Sequence, residues 1–180
     1  MQQELRIIQG TTAQYGGSTL GFVGLDGEGR ISLDVWDANE KAWLTRLRLR
    51  EGEVFSAGGH YLRVAQLEEG AQRPRLQLME LGDAGGLQAA QAEHAVLPQH
   101  GCLEVGLTRL EFTAPPTAAA AQIRMWPKLY PLKDTDPAQI QQTELTVGQL
   151  LTFGHKQLKV ERIQAAAGDI PGFVAFSMQP

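Results

Sequence analysis

The sequence predicts an all-β protein made of two tandem, internally duplicated antiparallel modules, of sandwich or partial-barrel type. Three observations carry this reading. Leu49 to Leu67 (LREGEVFSAGGHYLRVAQL) recurs without a gap as Leu145 to Ile163 (LTVGQLLTFGHKQLKVERI), a shift of 96 residues that sets Gly52 onto Gly148 and reads as a structural repeat. Leu49, Gly58, Leu62 and Val64 fall on Leu145, Gly154, Leu158 and Val160 in the same register. Trp43 to Arg50 carries the cleanest alternation in the chain, with Trp43, Thr45, Leu47 and Leu49 on one side and Arg46, Arg48 and Arg50 on the other, the period of a half-buried strand. Finally, glycines separate short apolar runs, as Gly58-Gly59 does between Val54–Ala57 and Tyr61–Leu67, which is a hairpin signal.

The elements follow in order. Glu4 to Gln9 reads as a first strand. Ser18 to Leu25 and Arg30 to Trp36 flank Asp26-Gly27-Glu28-Gly29, a turn of the Asp-Gly type. After a turn at Asp37–Glu40 comes the alternating strand, then Glu51-Gly52-Glu53 and the repeated hairpin. Arg75 to Leu81 closes the first module, residues 1–81. Residues 82–101 form a linker rich in Gly, Ala and Gln, and its Leu87 to Val96 stretch has the composition of a short helix. The second module, residues 102–180, opens with Cys102 to Phe112 as one strand. Thr113 to Ala121 is a loop. Gln122 to Trp126 is the counterpart of Ile31 to Trp36, tryptophan against tryptophan. Thr143–Val147, Leu150–Phe153, Gln157–Ile163 and Gly172–Met178 complete the sheet. Between them, Pro127 to Pro137 is a proline-punctuated excursion with no counterpart in the first half.

Composition narrows the function. The 180 residues are 43% hydrophobic and 20% charged, ordinary globular values. A net charge of −4 argues against nucleic acid or an anionic membrane as the main partner. The single cysteine, Cys102, excludes an internal disulfide and suits a reducing compartment. MQQELRIIQG lacks a basic region followed by an apolar run, and no stretch is apolar enough to span a bilayer as a helix. The expectation is a soluble, cytoplasmic, bacterial protein.

Reactive constellations are sparse. Gly16-Gly17-Ser18 and Gly24 to Gly29 lack the lysine and following helix of a phosphate loop. G-x-S-x-G and H-E-x-x-H are absent. His60, His94, His100 and His155 include no i, i+4 pair, so neither a metal nor another cofactor is expected. His100 and Cys102, at i, i+2, are the pair an enzyme would use, but no third group is nominated. The enzymatic reading therefore ranks last. Arg46, Arg48 and Arg50, with Arg63, read as a solvated face paired with Glu51, Glu53 or Glu68 ahead of a phosphate site. Trp36, Trp43 and Trp126 read as core plugs; the alternative is a carbohydrate or small-ligand surface.

The function this leaves is non-catalytic protein binding, as in a small immunity or accessory factor that blocks or escorts a partner protein. Carbohydrate or small-ligand binding is the alternative. The nominated partner-binding residues are Lys128, Tyr130, Lys133, Asp134 and Asp136 of the Pro127–Pro137 excursion. An insertion that interrupts a repeat belongs to the surface. Its prolines lower the entropic cost of presenting an aromatic ring and charges of both signs.

Overall fold

Alternating apolar residues between glycine turns give sixteen strands among the residues that the computed structural model describes, 3–37, 44–70, 72–82, 87 and 93–179. The first half contains β1 (Glu4–Ile8), β2 (Thr12–Tyr15), β3 (Ser18–Leu25), β4 (Ile31–Asp37), β5 (Leu44–Leu49), β6 (Val54–Ala57), β7 (His60–Glu68) and β8 (Arg75–Glu80). The second contains β9 (Ala95–Pro98), β10 (Cys102–Val105), β11 (Thr108–Phe112), β12 (Ala121–Pro127), β13 (Gln141–Leu145), β14 (Leu150–Phe153), β15 (Lys156–Gln164) and β16 (Phe173–Gln179). The fold is all-β, and its sheets do not close into a barrel. One eight-stranded antiparallel sheet runs β2-β3-β4-β5-β10-β11-β12-β13. Two four-stranded sheets run β1-β8-β7-β6 and β9-β16-β15-β14. Each half thus supplies four consecutive strands to the shared sheet and closes its own small sheet with the other four, in the same order.

The correspondence extends to single hydrogen bonds. Val54 pairs with Arg63 and Phe55 with Leu62, as Leu150 pairs with Lys159 and Leu151 with Leu158. A bulge between Val64 and Gln66 recurs between Val160 and Arg162. Gly52 N–H donates to the Val64 carbonyl and Gly148 N–H to that of Val160, both at 2.8 Å. Gly52 and Gly148 sit at φ of 85° and 88°, a left-handed conformation that glycine adopts without a Cβ clash. Leu62, Val64, Leu158 and Val160 are all buried in the core. On β5, Thr45, Leu47 and Leu49 point inward while Arg46 and Arg48 stay partly exposed, as the alternation requires.

Three expectations change. Thr12–Tyr15 forms β2, which the sequence does not announce. The expected single strand Cys102–Phe112 is a hairpin, broken at Gly106-Leu107, where Gly106 has φ 58°. Ala95 and Val96, assigned by composition to a helix in the linker, instead pair with Phe176 and Ala175 in β9. Alanine's helix propensity is small beside the hydrogen bonds and burial that the β16 edge supplies. Residues 88–92 of that expected helix, the 38–40 turn and Trp43 lie outside the described residues.

Among the described residues the halves meet in the shared sheet and between the small sheets, where Arg63 also reaches Asp169 at 2.8 Å. In the shared sheet β5 pairs with β10, setting Leu47 opposite Leu103, Arg46 opposite Glu104 and Arg48 opposite Cys102. Beneath it, β6 packs against β9. Gly101 enters this junction with no room for a side chain: a Cβ there would lie 2.1 Å from the Arg48 carbonyl oxygen and 2.6 Å from Pro98 Cγ. Glu53, wholly buried, accepts the His100 N–H on both carboxylate oxygens, at 3.2 and 3.3 Å. The second meeting joins the small sheets. Glu93 accepts from the Tyr61 hydroxyl and, at 3.1 Å, from Arg162, whose guanidinium lies 4.9 Å above the Tyr61 ring.

Gly101→Ala should therefore destabilise the protein by about 2–3 kcal/mol, the usual cost of overpacking a rigid site. Gly27→Ala, in a turn where a Cβ meets nothing, is the control and should leave the urea midpoint unchanged.

Candidate functional site at the open end of the second half

The two halves differ most at one end. In the first half the β2–β3 turn touches the β6–β7 turn. A Cβ on Gly16 would lie 2.7 Å from the Gly58 carbonyl oxygen, and one on Gly58 would lie 2.5 Å from that of Tyr15. Gly58 N–H donates to Ser18 Oγ at 2.8 Å. Behind this contact Tyr15 is buried, its hydroxyl donating to Glu80 Oε2 at 2.5 Å, and His60 Nδ1 sits 2.8 Å from Glu80 Oε1. By strand register the same positions in the second half are Val105, Lys156 and Met178, and the turn glycines are Gly106 and Gly154. A Cβ on either of those glycines meets nothing within 4 Å. The two turns are apart, and a cleft of about 510 Å³ opens between the sheets, lined by Leu107, Thr108, Met125, Trp126, Gln141, Leu150, Leu151, Phe153 and Gly154 among others.

The second difference is what covers the small sheet. Val54 on β6 is 1% exposed because β9 packs there; Leu150, its equivalent on β14, is 54% exposed. Leu107, Leu129, Tyr130 and Val147 are exposed as well. Lys128 N–H donates to the Leu107 carbonyl at 2.9 Å, which ties the start of the excursion to the cleft's rim. Trp126 contributes to the cleft's lining, but strand alternation turns its ring to the face of β12 opposite Met125, beside Arg109, where its buried indole N–H has no acceptor among the described residues.

The excursion itself carries two 3₁₀ turns, Leu132–Asp134 and Pro137–Gln139. Asp136 Oδ1 accepts the Ala138 N–H at 2.9 Å and caps the second turn. Buried Thr135 donates its hydroxyl to the Pro131 carbonyl at 3.0 Å. Tyr130, Lys133, Asp134 and Asp136 are exposed and Lys128 is half-buried. None of the five lines the cleft, although Gln139 of the same loop does. The excursion stands beside the cleft. The cleft itself has no sequence motif, because it arises from the separation of two turns, and only the replacement of Gly17 by Leu107 hints at it.

The other nominated residues are placed differently from expectation. Within the arginine stripe Arg46 and Arg48 pair across the sheet, Arg63 reaches Asp169 at 2.8 Å, and Arg50 acts on buried Glu53. Arg46 makes a two-pronged contact with buried Asp34 at 2.7 and 2.9 Å, and Arg48 and Arg109 reach Glu104 at 3.4 and 2.7 Å. Trp36 and Trp126 occupy matching register positions on this charged face of the sheet, where Trp126 is buried and Trp36 half-buried. Trp36 lies against Gly21, and Arg109 stacks 6.0 Å from Trp126. His100 is in a turn, so it does not share a strand face with Cys102. Cys102 is wholly buried and burial pushes its thiol up to about 12, so it holds no thiolate near neutrality. Among the described residues no group of three or more His, Cys, Asp or Glu is placed to hold a metal ion, and no helix is long and apolar enough to cross a membrane.

Neither a family model, nor a curated protein, nor a solved structure matches this chain.

Burial pushes the Glu53 carboxyl up to about 7, against the pull of the His100 N–H and Arg50; burial raises Glu93 likewise, to about 7. A carboxyl with its folded pKa above its unfolded value holds its proton in the fold and loses it on unfolding. Stability therefore falls as pH rises from about 4.5 to about 7. Urea midpoints at about pH 5 and pH 8 should show this decline, and Glu53→Gln should reduce it markedly.

Proposed function

We propose that this chain is a non-catalytic protein-binding module that engages its partner through the open end of the second half. The reading rests on one observation: exposed Leu150, beside a cleft, occupies the position where its equivalent Val54 is covered by another β element. Apolar surface of this kind next to a pocket is characteristic of an interaction site. The excursion, with Tyr130, Lys128, Lys133, Asp134 and Asp136, supplies a polar rim of both charge signs. A buried thiol and ion-paired arginines support binding over catalysis. We further read the two halves as a duplication of one eight-stranded unit, in which the second copy kept the scaffold and opened one end. A small cytoplasmic bacterial factor that blocks or escorts another protein fits these features.

A second reading has its own support. A cleft of about 510 Å³ with Leu107, Met125, Leu151, Phe153 and part of Trp126 in its lining is of a size to take a small ligand or sugar. Titration with a panel of sugars while following tryptophan fluorescence separates the two; the protein-binding reading expects no saturable change.

Leu150→Glu and Tyr130→Ala replace exposed side chains and should alter stability by less than about 0.5 kcal/mol. Both should deplete the partner that co-purifies with the chain from its native host, identified by mass spectrometry. Undiminished recovery with both variants would remove this surface as the site.

A further inference from the structure

Within the chain, the surface formed by β5 and β6 is covered by a strand–turn–strand unit: β9 packs on β6, the turn at Gln99–Gly101 crosses, and β10 pairs with β5. The equivalent surface of the second half is formed by β13, the free edge of the eight-stranded sheet, and β14. We infer that β13 and β14 receive the same kind of unit from a different polypeptide: an extended strand added to the β13 edge, with a glycine at the corner and an apolar segment over Leu150 and the cleft. This inference rests on the protein-binding reading above and specifies the partner's chemistry.

A second copy of this chain is excluded as occupant by one residue. Its matching unit is β1-turn-β2, and there Thr11 stands where Gly101 stands in β9-turn-β10. The two are equivalent by register, and each donates its N–H to the carbonyl three residues back, Ile8 or Pro98, at 3.0 and 3.3 Å. The Arg48 carbonyl, 2.1 Å from a Cβ on Gly101, corresponds to the Glu144 carbonyl on β13. A threonine carried into that space collides with backbone. Charge selects the partner further. Arg46 and Arg48, which meet Glu104 of β10, are replaced on β13 by Gln142 and Glu144, so the added strand bears a cation opposite Glu144 in place of an acid opposite arginine. Backbone pairing supplies affinity in such strand addition and alternate side chains supply specificity.

The test uses the full chain and a synthetic peptide spanning Ala95–Val105 with Cys102→Arg and Glu104→Gln. In ¹⁵N NMR titrations the peptide should perturb residues 141–153 and Leu107. Peptides N-methylated on alternate residues 102, 104 or 103, 105 should differ: one set binds, the other loses at least about tenfold in affinity, because only one set of N–H groups faces the β13 edge. A Gly101→Thr peptide and the Leu150→Glu protein should each lose binding. No perturbation at millimolar peptide, perturbation at β2 in place of β13, or indifference to both methylation sets overturns the inference. So does self-association in sedimentation velocity that Leu150→Glu abolishes. The broader reading fails separately, only if Leu150→Glu and Tyr130→Ala both leave native partner capture intact.

Discussion

The pairing of β5 with β10 is the interaction from which the rest of the architecture follows. It fuses two four-stranded sheets into one of eight, and it requires that the chain bring Gly101 against the Arg48 carbonyl, a position no side chain can share. With that approach fixed, β9 is delivered onto β6, Glu53 is sealed from water beneath the turn, and Tyr61, Glu93 and Arg162 join the small sheets. Burying Glu53 costs free energy that its single backbone donor only partly offsets. The raised carboxyl pKa expresses that cost.

The junction is also directional. One half presents β5 and β6, the other presents β9 and β10, so joining two equivalent units in this way leaves one surface of each kind uncovered. The β13–β14 surface is polar along its edge strand and apolar around the cleft. The uncovered β1–β2 surface carries Thr11 at the corner. Edge strands of polar composition resist indiscriminate pairing.

Much of the scaffold is legible in the sequence. The gapless match from Leu49 to Leu67 and Leu145 to Ile163 locates turns and core residues because turn glycines and inward aliphatics are set locally, by φ and by period two. The strand at Ala95–Pro98 is not legible, since its conformation is decided by β16, far along the chain. Nor is the hairpin at Gly106-Leu107, where one glycine inside an apolar run reads equally as an interruption. For the site, the excursion is visible as a break in the repeat, and it does stand beside the cleft. The cleft is hidden because it depends on Gly106 and Gly154 not touching, whereas Gly16 and Gly58 do. The arginine stripe is visible as a pattern, but its partners Asp34 and Glu104 lie on neighbouring strands that only the topology identifies.

The central claim is that β5 and β10 form a closed interior seam while β13 and β14 expose the equivalent surface. Native-state amide hydrogen exchange tests it residue by residue. Amides of Leu47, Leu103 and their neighbours across the seam should exchange only through global unfolding, with the same denaturant dependence in both halves, while outward-facing amides of Gln141–Leu145 exchange orders of magnitude faster. Exchange of the β5 and β10 amides through a separate, low-energy opening, or protection of the β13 edge equal to that of the seam, would contradict the account.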